Sequence, residues 1–388
     1  MTSIDTAAGR PEQGDKRVSE RNAVVLKEFG ADLEITSFPE VKPEAGAAVV
    51  AVTHAGICGT DMHLQQGKLP IPLPVVLGHE AVGRVRRLGE GVHTDATGAP
   101  LREGDLVSWA SNIPCGTCFY CAQEEEPSLC DTRKVYGINQ SCAQWPRLSG
   151  GWSEQIYLQP GSTIVRLPEG VTPEQVIALG CAGPTVVHAV LGIGKPREGD
   201  VVIVQGSGPV GLAAAMYATV AGAAKVIVVG GPANRLEVAR QVGIGDVHVD
   251  IFTETDVENR LAEVLAETPD GRGADVVIEA TGVPAAVAEG INLTRQGGKY
   301  LVVGQYTDHG PTPLNPHLIT RKQLQVLGSW AFSPKNHLDY VLSVPELVQR
   351  FGLSKLVTRY KLGEVNEALA DMRSGTTLKP VLVSGAVS

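Results

Sequence analysis

The chain has 388 residues, 43% of them apolar and 19% charged, so it is too long for one ordinary core and too apolar for a disordered polymer. A formal net charge of −9 with no Lys/Arg-rich block excludes nucleic acid or an anionic membrane as the main partner, because both demand a concentrated positive surface. A small-molecule partner and a two-domain organisation are expected.

Residues 1–20 are rich in Asp, Glu, Lys, Arg, Gly and Ser and lack the apolar stretch of a signal peptide; no later run reaches membrane-spanning length. They read as a loose tail, and the cytoplasm is the expected compartment. From Asn22 to about Gly180 the sequence falls into short β-rich segments such as Ala47–Val52, punctuated by Gly and Pro and free of any long amphipathic helix. An irregular β domain is expected there. Two of its segments, Gly56–His63 and Gly78-His79-Glu80, have metal-ligand character. Cys58 and His79 are the soft and borderline donors that zinc prefers, with Asp61 and Glu80 available to orient them.

Further along, Cys115, Cys118, Cys121 and Cys130 give the spacing C-x2-C-x2-C-x8-C. Four thiolates in such a loop close a tetrahedron around Zn²⁺ and leave no open position, which makes the site structural. Seven cysteines, four of them within sixteen positions, fit metal binding in a reducing compartment better than a disulfide framework. The Cys58/His79 pair still needs a third ligand. Cys181, just before the second domain, reaches the cleft if the two domains fold together. Cys142 is then left over as a buried free thiol.

From Val201 the rhythm changes. Val201–Val204 is a short apolar strand, a helical pattern runs through Ala221, and Val226–Val229 is a second strand: a βαβ unit. Strands at Val276–Ile278, Tyr300–Val303 and Leu324–Gly328 extend it into a doubly wound parallel sheet. At the first strand-to-helix turn stands Gly206-Ser207-Gly208-Pro209-Val210-Gly211, a G-x-G-x-x-G motif. Its glycines permit a tight turn, close approach of a pyrophosphate and close helix packing, with the phosphate charge at the helix N-terminus. Thr281, after the Val276 strand, joins the cofactor candidates. Gly230 occupies the end of the second strand, where an acid would grip the ribose of NAD, and Arg235 is the nearest cation. A helix over Val365–Met372 and a strand at Val381–Val383 are expected to pack back on the first domain. His54, His188 and His317 are further candidates for the cleft, as are Trp109, Trp145, Trp152 and Trp330, with core packing the plain alternative for each.

In this order, the G-x-C-x-T-D-x-H and G-H-E segments, the four-cysteine lobe, Cys181 and the glycine motif resemble the zinc-containing medium-chain alcohol dehydrogenases, from about Asn22 to Val383. The resemblance implies an α/β fold: a GroES-like irregular β catalytic domain (21–183 and 332–388) and a Rossmann doubly wound parallel-sheet domain (184–331). It implies two zincs per subunit, one catalytic on Cys58, His79 and Cys181 and one structural on the four-cysteine lobe. Thr60 resembles the hydroxyl that takes the alcohol's proton, and His63 the residue that passes it to solvent. The implied reaction is reversible oxidation of a small alcohol, secondary or cyclic, with NAD(H) favoured over NADP(H), by a homodimer or homotetramer. Two departures stand out: the spacer before Cys130 is one residue longer than the family's, so the lobe should bulge, and Gly230 replaces the acid. The competing readings are a polyol or amino-alcohol dehydrogenase, a formaldehyde-type dismutase, and a dinucleotide-binding protein without catalysis. Relatives acting on polyols often carry a carboxylate where Cys181 stands, which weighs against the first.

Overall fold

The structure, a computed structural model, describes residues 19–384; most of the expected tail, residues 1–18, lies outside the described residues. The first half is a β framework: β1 (Ala48–Gly56), α1 (Gly59–Gln65), β2 (Ala81–Leu88), β3 (Leu106–Trp109), β4 (Gln155–Leu158) and β5 (Ile164–Arg166). Short helices α2 (Pro173–Ile177) and α3 (Ala182–Val186) follow. Alternation sets the faces at the end of β2, where Val85 is buried while its neighbours Arg84 and Arg86 point outward. β1 is buried almost throughout, because β2 and β4 flank it and neighbouring elements cover both its faces.

The second half holds β6 (Val201–Gln205), α4 (Pro209–Val220), β7 (Lys225–Gly230), β8 (Val247–Asp250), β9 (Ala274–Glu279), β10 (Thr294–Val302) and β11 (Gln325–Gly328). They form one parallel sheet in the order β8-β7-β6-β9-β10-β11, with Val204 beside both Val228 and Ile278. Alternate residues feed two different cores. Val202, Val204, Val226 and Val228 pack with Leu212 of α4 on one face. Val201, Ile203, Ile227 and Val229 pack with Val264 and Ile291, from helices over 257–266 and 284–293, on the other. Burial on both faces is why these strands read as continuous apolar runs. The chain passes from β6 outward to β7 on one side and returns to β9 on the other, so a crevice opens at their carboxyl ends, beyond Gln205 and Glu279.

The chain then runs through α5 (Pro334–Arg350), β12 (Val357–Lys361), α6 (Val365–Ser374) and β13 (Lys379–Val383). β13 lies antiparallel to β1, with Val381 opposite Gly56, and completes the order β5-β3-β2-β1-β13-β12. The long helix α5 is absent from the sequence reading although its start was signalled: Ser333 caps it reciprocally with Asn336, and Pro334 occupies the first position. Its buried face, Tyr340, Val341, Val344 and Leu347, joins a core shared by both halves. Each such side chain contributes about 1.5–3 kcal/mol on burial. Among the described residues no helix is long and apolar enough to cross a membrane.

Candidate active site

β1 delivers Cys58 to the N-cap of α1, and one helical turn later the buried Asp61 faces back. One oxygen of its carboxylate accepts the Cys58 backbone N–H at 2.9 Å, and the other meets His79 Nδ1 at 3.1 Å. That fixes the ring so that Nε2 faces Cys58 Sγ at 3.1 Å. His79 follows Gly78, whose φ of +92° and the Trp152 ring 2.3 Å from where a Cβ would stand leave room for glycine alone. Cys181, at the N-cap of α3, supplies the third atom, and the three ligand atoms lie within 4.8 Å of one another. Tetrahedral zinc bonded to two sulfurs and one nitrogen needs separations of about 3.5–3.8 Å, so the donor set fits that ion.

Proton sharing within the set points the same way. A hydrogen bond from Cys181 and the nearby His79 charge hold the Cys58 thiol well below its usual range, while the same bond pushes Cys181 up. His79 is raised despite its burial, by the Cys58 and Asp61 charges. Behind the set, Glu80 and Lys379 form a fully buried ion pair, and Lys379 also donates to the Ile57 carbonyl at 3.4 Å. The other oxygen of Glu80 has no partner and lies 2.7 Å from where a Cβ on Gly180 would stand. Lys379 escaped the sequence reading.

A cleft of about 900 Å³ runs from this centre to the carboxyl ends of β6 and β9. There Gly206 has φ +122°, and a Cβ on Gly211 would stand 2.0 Å from the Gly206 carbonyl oxygen, so loop and helix touch backbone to backbone. Gly208 opens onto free space at the head of the twelve-residue α4, where Pro209 and Val210 border the cleft. Ser207 Oγ donates to the Gly231 carbonyl at 2.9 Å and accepts its N–H at 3.0 Å. A side chain on Gly230 would begin 2.8 Å from the Ser207 nitrogen, which accounts physically for the missing acid. Arg235 borders the cleft with its Nε buried and unpartnered. Thr281 also borders it, donating through N–H and Oγ1 to Glu279 at 2.7 Å each. Glu279 was not foreseen; it also accepts from Gly282 and Gly304, pinning the turns opposite the glycine loop.

Thr60 and His63 both line the cleft, one helical turn apart on α1. Burial, followed by the charges of Lys68 and His309, lowers the His63 pKa below the usual 6.5, leaving a neutral imidazole at pH 7. Its Nδ1 is 2.6 Å from Thr307 Oγ1, and the exposed His309 ring lies edge-on with centroids 5.8 Å apart. Of the other histidines, His188 reaches the cleft, His54 pairs with Glu174 at 3.1 Å, and His317 starts an exposed helix. Trp330 lines the cleft, stacked on Tyr306; Trp109 and Trp152 sit in the β core, and Trp145 is exposed. Cys142 is buried beside Val25, Val76 and Leu148.

The sulfurs of Cys115, Cys118, Cys121 and Cys130 also gather within 4.8 Å. Backbone N–H groups of Thr117 and Cys118 hold Cys115 down to about 5, while burial and neighbouring thiols push Cys121 up to about 12. Within the spacer, Glu125 adopts a left-handed φ of 55°. Glu126, Ser128 and Leu129 of this lobe line the cleft, with Glu126 at the head of the short helix Pro127–Leu129.

Comparison with known proteins agrees in both halves. The family described as alcohol dehydrogenase GroES-like domain matches residues 44–169, and that described as zinc-binding dehydrogenase matches residues 209–349. A 5-exo-hydroxycamphor dehydrogenase of Pseudomonas putida is 34% identical over 354 residues, 91% of this chain and 96% of that protein. The chain belongs to the zinc-containing medium-chain alcohol dehydrogenase family. An alcohol dehydrogenase structure from Thermotoga maritima superposes with a TM-score of 0.89 at 36% identity, covering 94% of this chain and all of that one. A Sinorhizobium meliloti structure, described as a zinc-binding dehydrogenase and bound to NADP, has a TM-score of 0.80 at 26% identity, covering 94% and 99%. As a medium-chain alcohol dehydrogenase, the chain combines a GroES-like half with a Rossmann half and uses zinc and a nicotinamide cofactor.

Proposed function

We propose that the chain reversibly oxidises a small alcohol, secondary or cyclic, at Cys58, His79 and Cys181, with NAD(H) favoured as the cofactor. One observation carries this reading: two thiols and a carboxylate-oriented imidazole converge at one end of a cleft whose other end is a G-x-G-x-x-G loop. Zinc held by Cys58, His79 and Cys181 would supply Lewis acidity that favours loss of the alcohol's proton, and a nicotinamide cofactor at the Gly206 loop would supply the hydride acceptor. The chain does the rest. Thr60 takes the hydroxyl proton and His63, neutral through burial, receives it and releases it toward solvent on the side of Thr307 and His309. Asp61 holds His79 in the tautomer that leaves Nε2 free to bind metal. Assaying a panel of alcohols and carbonyls with both cofactors at the nicotinamide absorbance tests the reading; a protein that carries zinc yet turns over none of them refutes it.

Alcohol oxidation should rise with pH, with an acid limb below the ordinary histidine value of 6.5 because the folded pKa of His63 is lowered. His63→Gln should slow oxidation roughly 10- to 100-fold, at the low end of general-base effects because water also reaches the site. It should leave zinc content unchanged. An unaltered rate and pH profile, under conditions where proton transfer limits, would remove His63 from the relay.

The preference for NAD(H) is supported by the neutral Gly230 with no arginine flanking it, Arg235 being the nearest in sequence. Without an acid to repel a 2′-phosphate, discrimination should be modest, roughly 10-fold or less in kcat/KM. A strong NADP preference would show instead that Arg235 holds that phosphate. We also propose a second, structural zinc on the four-cysteine lobe and assembly into a homodimer or homotetramer. The second is supported by β11, a sheet-edge strand with Val326 44% exposed.

A further inference from the structure

The cleft wall beyond the metal ligands is short of hydrogen-bond donors. His188 is 5% exposed, and its Nδ1–H donates to the Ala331 carbonyl at 3.0 Å. Its Nε2 is left without a hydrogen-bond partner and faces Glu126 Oε2 at 3.5 Å. Asn112, also 5% exposed, donates its amide to the adjacent Phe332 carbonyl at 2.9 Å, which leaves its Oδ1 buried and unpartnered. Consecutive carbonyls thus hold His188 and Asn112 side by side. The Glu126 carboxylate is fixed on one oxygen by the Ser128 hydroxyl at 2.7 Å, while 37% of its side chain stays exposed. Each carboxylate oxygen accepts two hydrogen bonds, so free lone pairs remain. Arg133, the cation on this wall, is engaged with the Ser128 carbonyl.

Backbone strain brackets the arrangement. Glu125, just before the carboxylate, and Ala331, whose carbonyl holds His188, adopt left-handed φ values of 55° and 54° without being glycine. Such conformations persist only where the surroundings over-determine them. About 10 Å of helix rise separates Cys181 from His188, so the carboxylate meets a part of the substrate several bonds from the carbinol.

We propose that Glu126 determines specificity on this wall, and that the alcohol used carries a second hydrogen-bond donor, a hydroxyl or an ammonium group, that meets its carboxylate. Ser128 is the positioning residue for that carboxylate. The proposal rests on the reading of Cys58, His79 and Cys181 as the reaction centre, and it restores the polyol or amino-alcohol subtype on the ground of Glu126.

The probes are a straight-chain hexanol and its two analogues bearing a terminal hydroxyl or a terminal ammonium. Calorimetry on the enzyme–NADH complex gives their affinities without turnover, and kcat/KM with NAD gives the same comparison during it. The wild type should favour both substituted alcohols over hexanol, the ammonium by roughly 10-fold or more, as a charged hydrogen bond in a partly buried site allows. In Glu126→Gln the ammonium-to-methyl ratio should collapse while the hydroxyl preference partly survives, since an amide oxygen still accepts; Glu126→Ala should abolish both. Zinc content and NADH binding should not change in either variant. Equal affinities in the wild type, or a preference that survives Glu126→Ala, overturns the proposal while leaving the reaction centre standing. Absence of turnover together with an empty Cys58 site overturns both.

Discussion

Cys181→Ser should hold about one zinc per chain, bind NADH as tightly as the wild type and lose nearly all activity. Cys181 is one of three protein atoms that can hold the ion beside Cys58 and His79, and a serine hydroxyl is too poor a thiolate substitute to retain it. Lewis-acid stabilisation is worth several kcal/mol, so the rate should fall on the order of 100- to 10,000-fold. The Gly206 loop is shaped by backbone contact with Gly211 and by the Glu279 turn, neither of which needs metal, so dinucleotide binding survives. Thermal unfolding should move little. Elemental analysis, NADH fluorescence and steady-state assay decide it: an active variant still holding two zincs would remove Cys181 from the ligand set.

Cys130→Ser should do the reverse, lowering stability and solubility first and activity as a consequence. A closed four-thiolate site contributes folding free energy directly; structural zinc binds zinc-finger peptides with about 10–16 kcal/mol. Even a small fraction of that corresponds to a fall in Tm of roughly 5 °C or more. Cys130 also closes the short helix Pro127–Leu129, next to Glu126. Since that turn lines the cleft, KM for the alcohol should rise in whatever fraction stays folded, with NADH affinity unchanged. A Cys130→Ser protein with wild-type Tm and KM would reduce the lobe to a dispensable loop.

Much of the fold was legible because its signals are local. Four apolar residues, a glycine turn and a helix within Val201–Val220 announce a parallel sheet and its crevice, and the run Val381–Val383 announces the return of the chain. The convergence of Cys58, His79 and Cys181 could be anticipated because zinc chemistry restricts the donors. What stayed hidden depends on partners far apart in sequence. Lys379 meets Glu80 across 299 positions, and Thr307 meets His63 across 244; neither pairing leaves a periodicity or a spacing. The place of Glu126 on the cleft wall follows an irregular turn with a left-handed residue at Glu125, which leaves no periodicity in the sequence. Helix α5 was missed for another reason: Pro345 within it interrupts a pattern that Ser333-Pro334 had opened.

The position of β13 bears on the order in which the molecule is made. It is an interior strand, pairing with β1 and β12, and Lys379 on it neutralises the carboxylate behind Cys58. A ribosome that has released the chain through Gly328 has supplied the whole parallel sheet, every candidate zinc ligand and the glycine loop, yet the first sheet still lacks β13 and β12 at one end. Until residue 379 emerges, Glu80 is a buried charge without a counter-ion. The parallel sheet can therefore form during synthesis, whereas the metal-binding half waits for a contact of very high sequence separation, the slow kind in chain folding. On that order, a metal site at Cys58 would gain its neutralising Lys379 only when the last strand of the chain has joined β1.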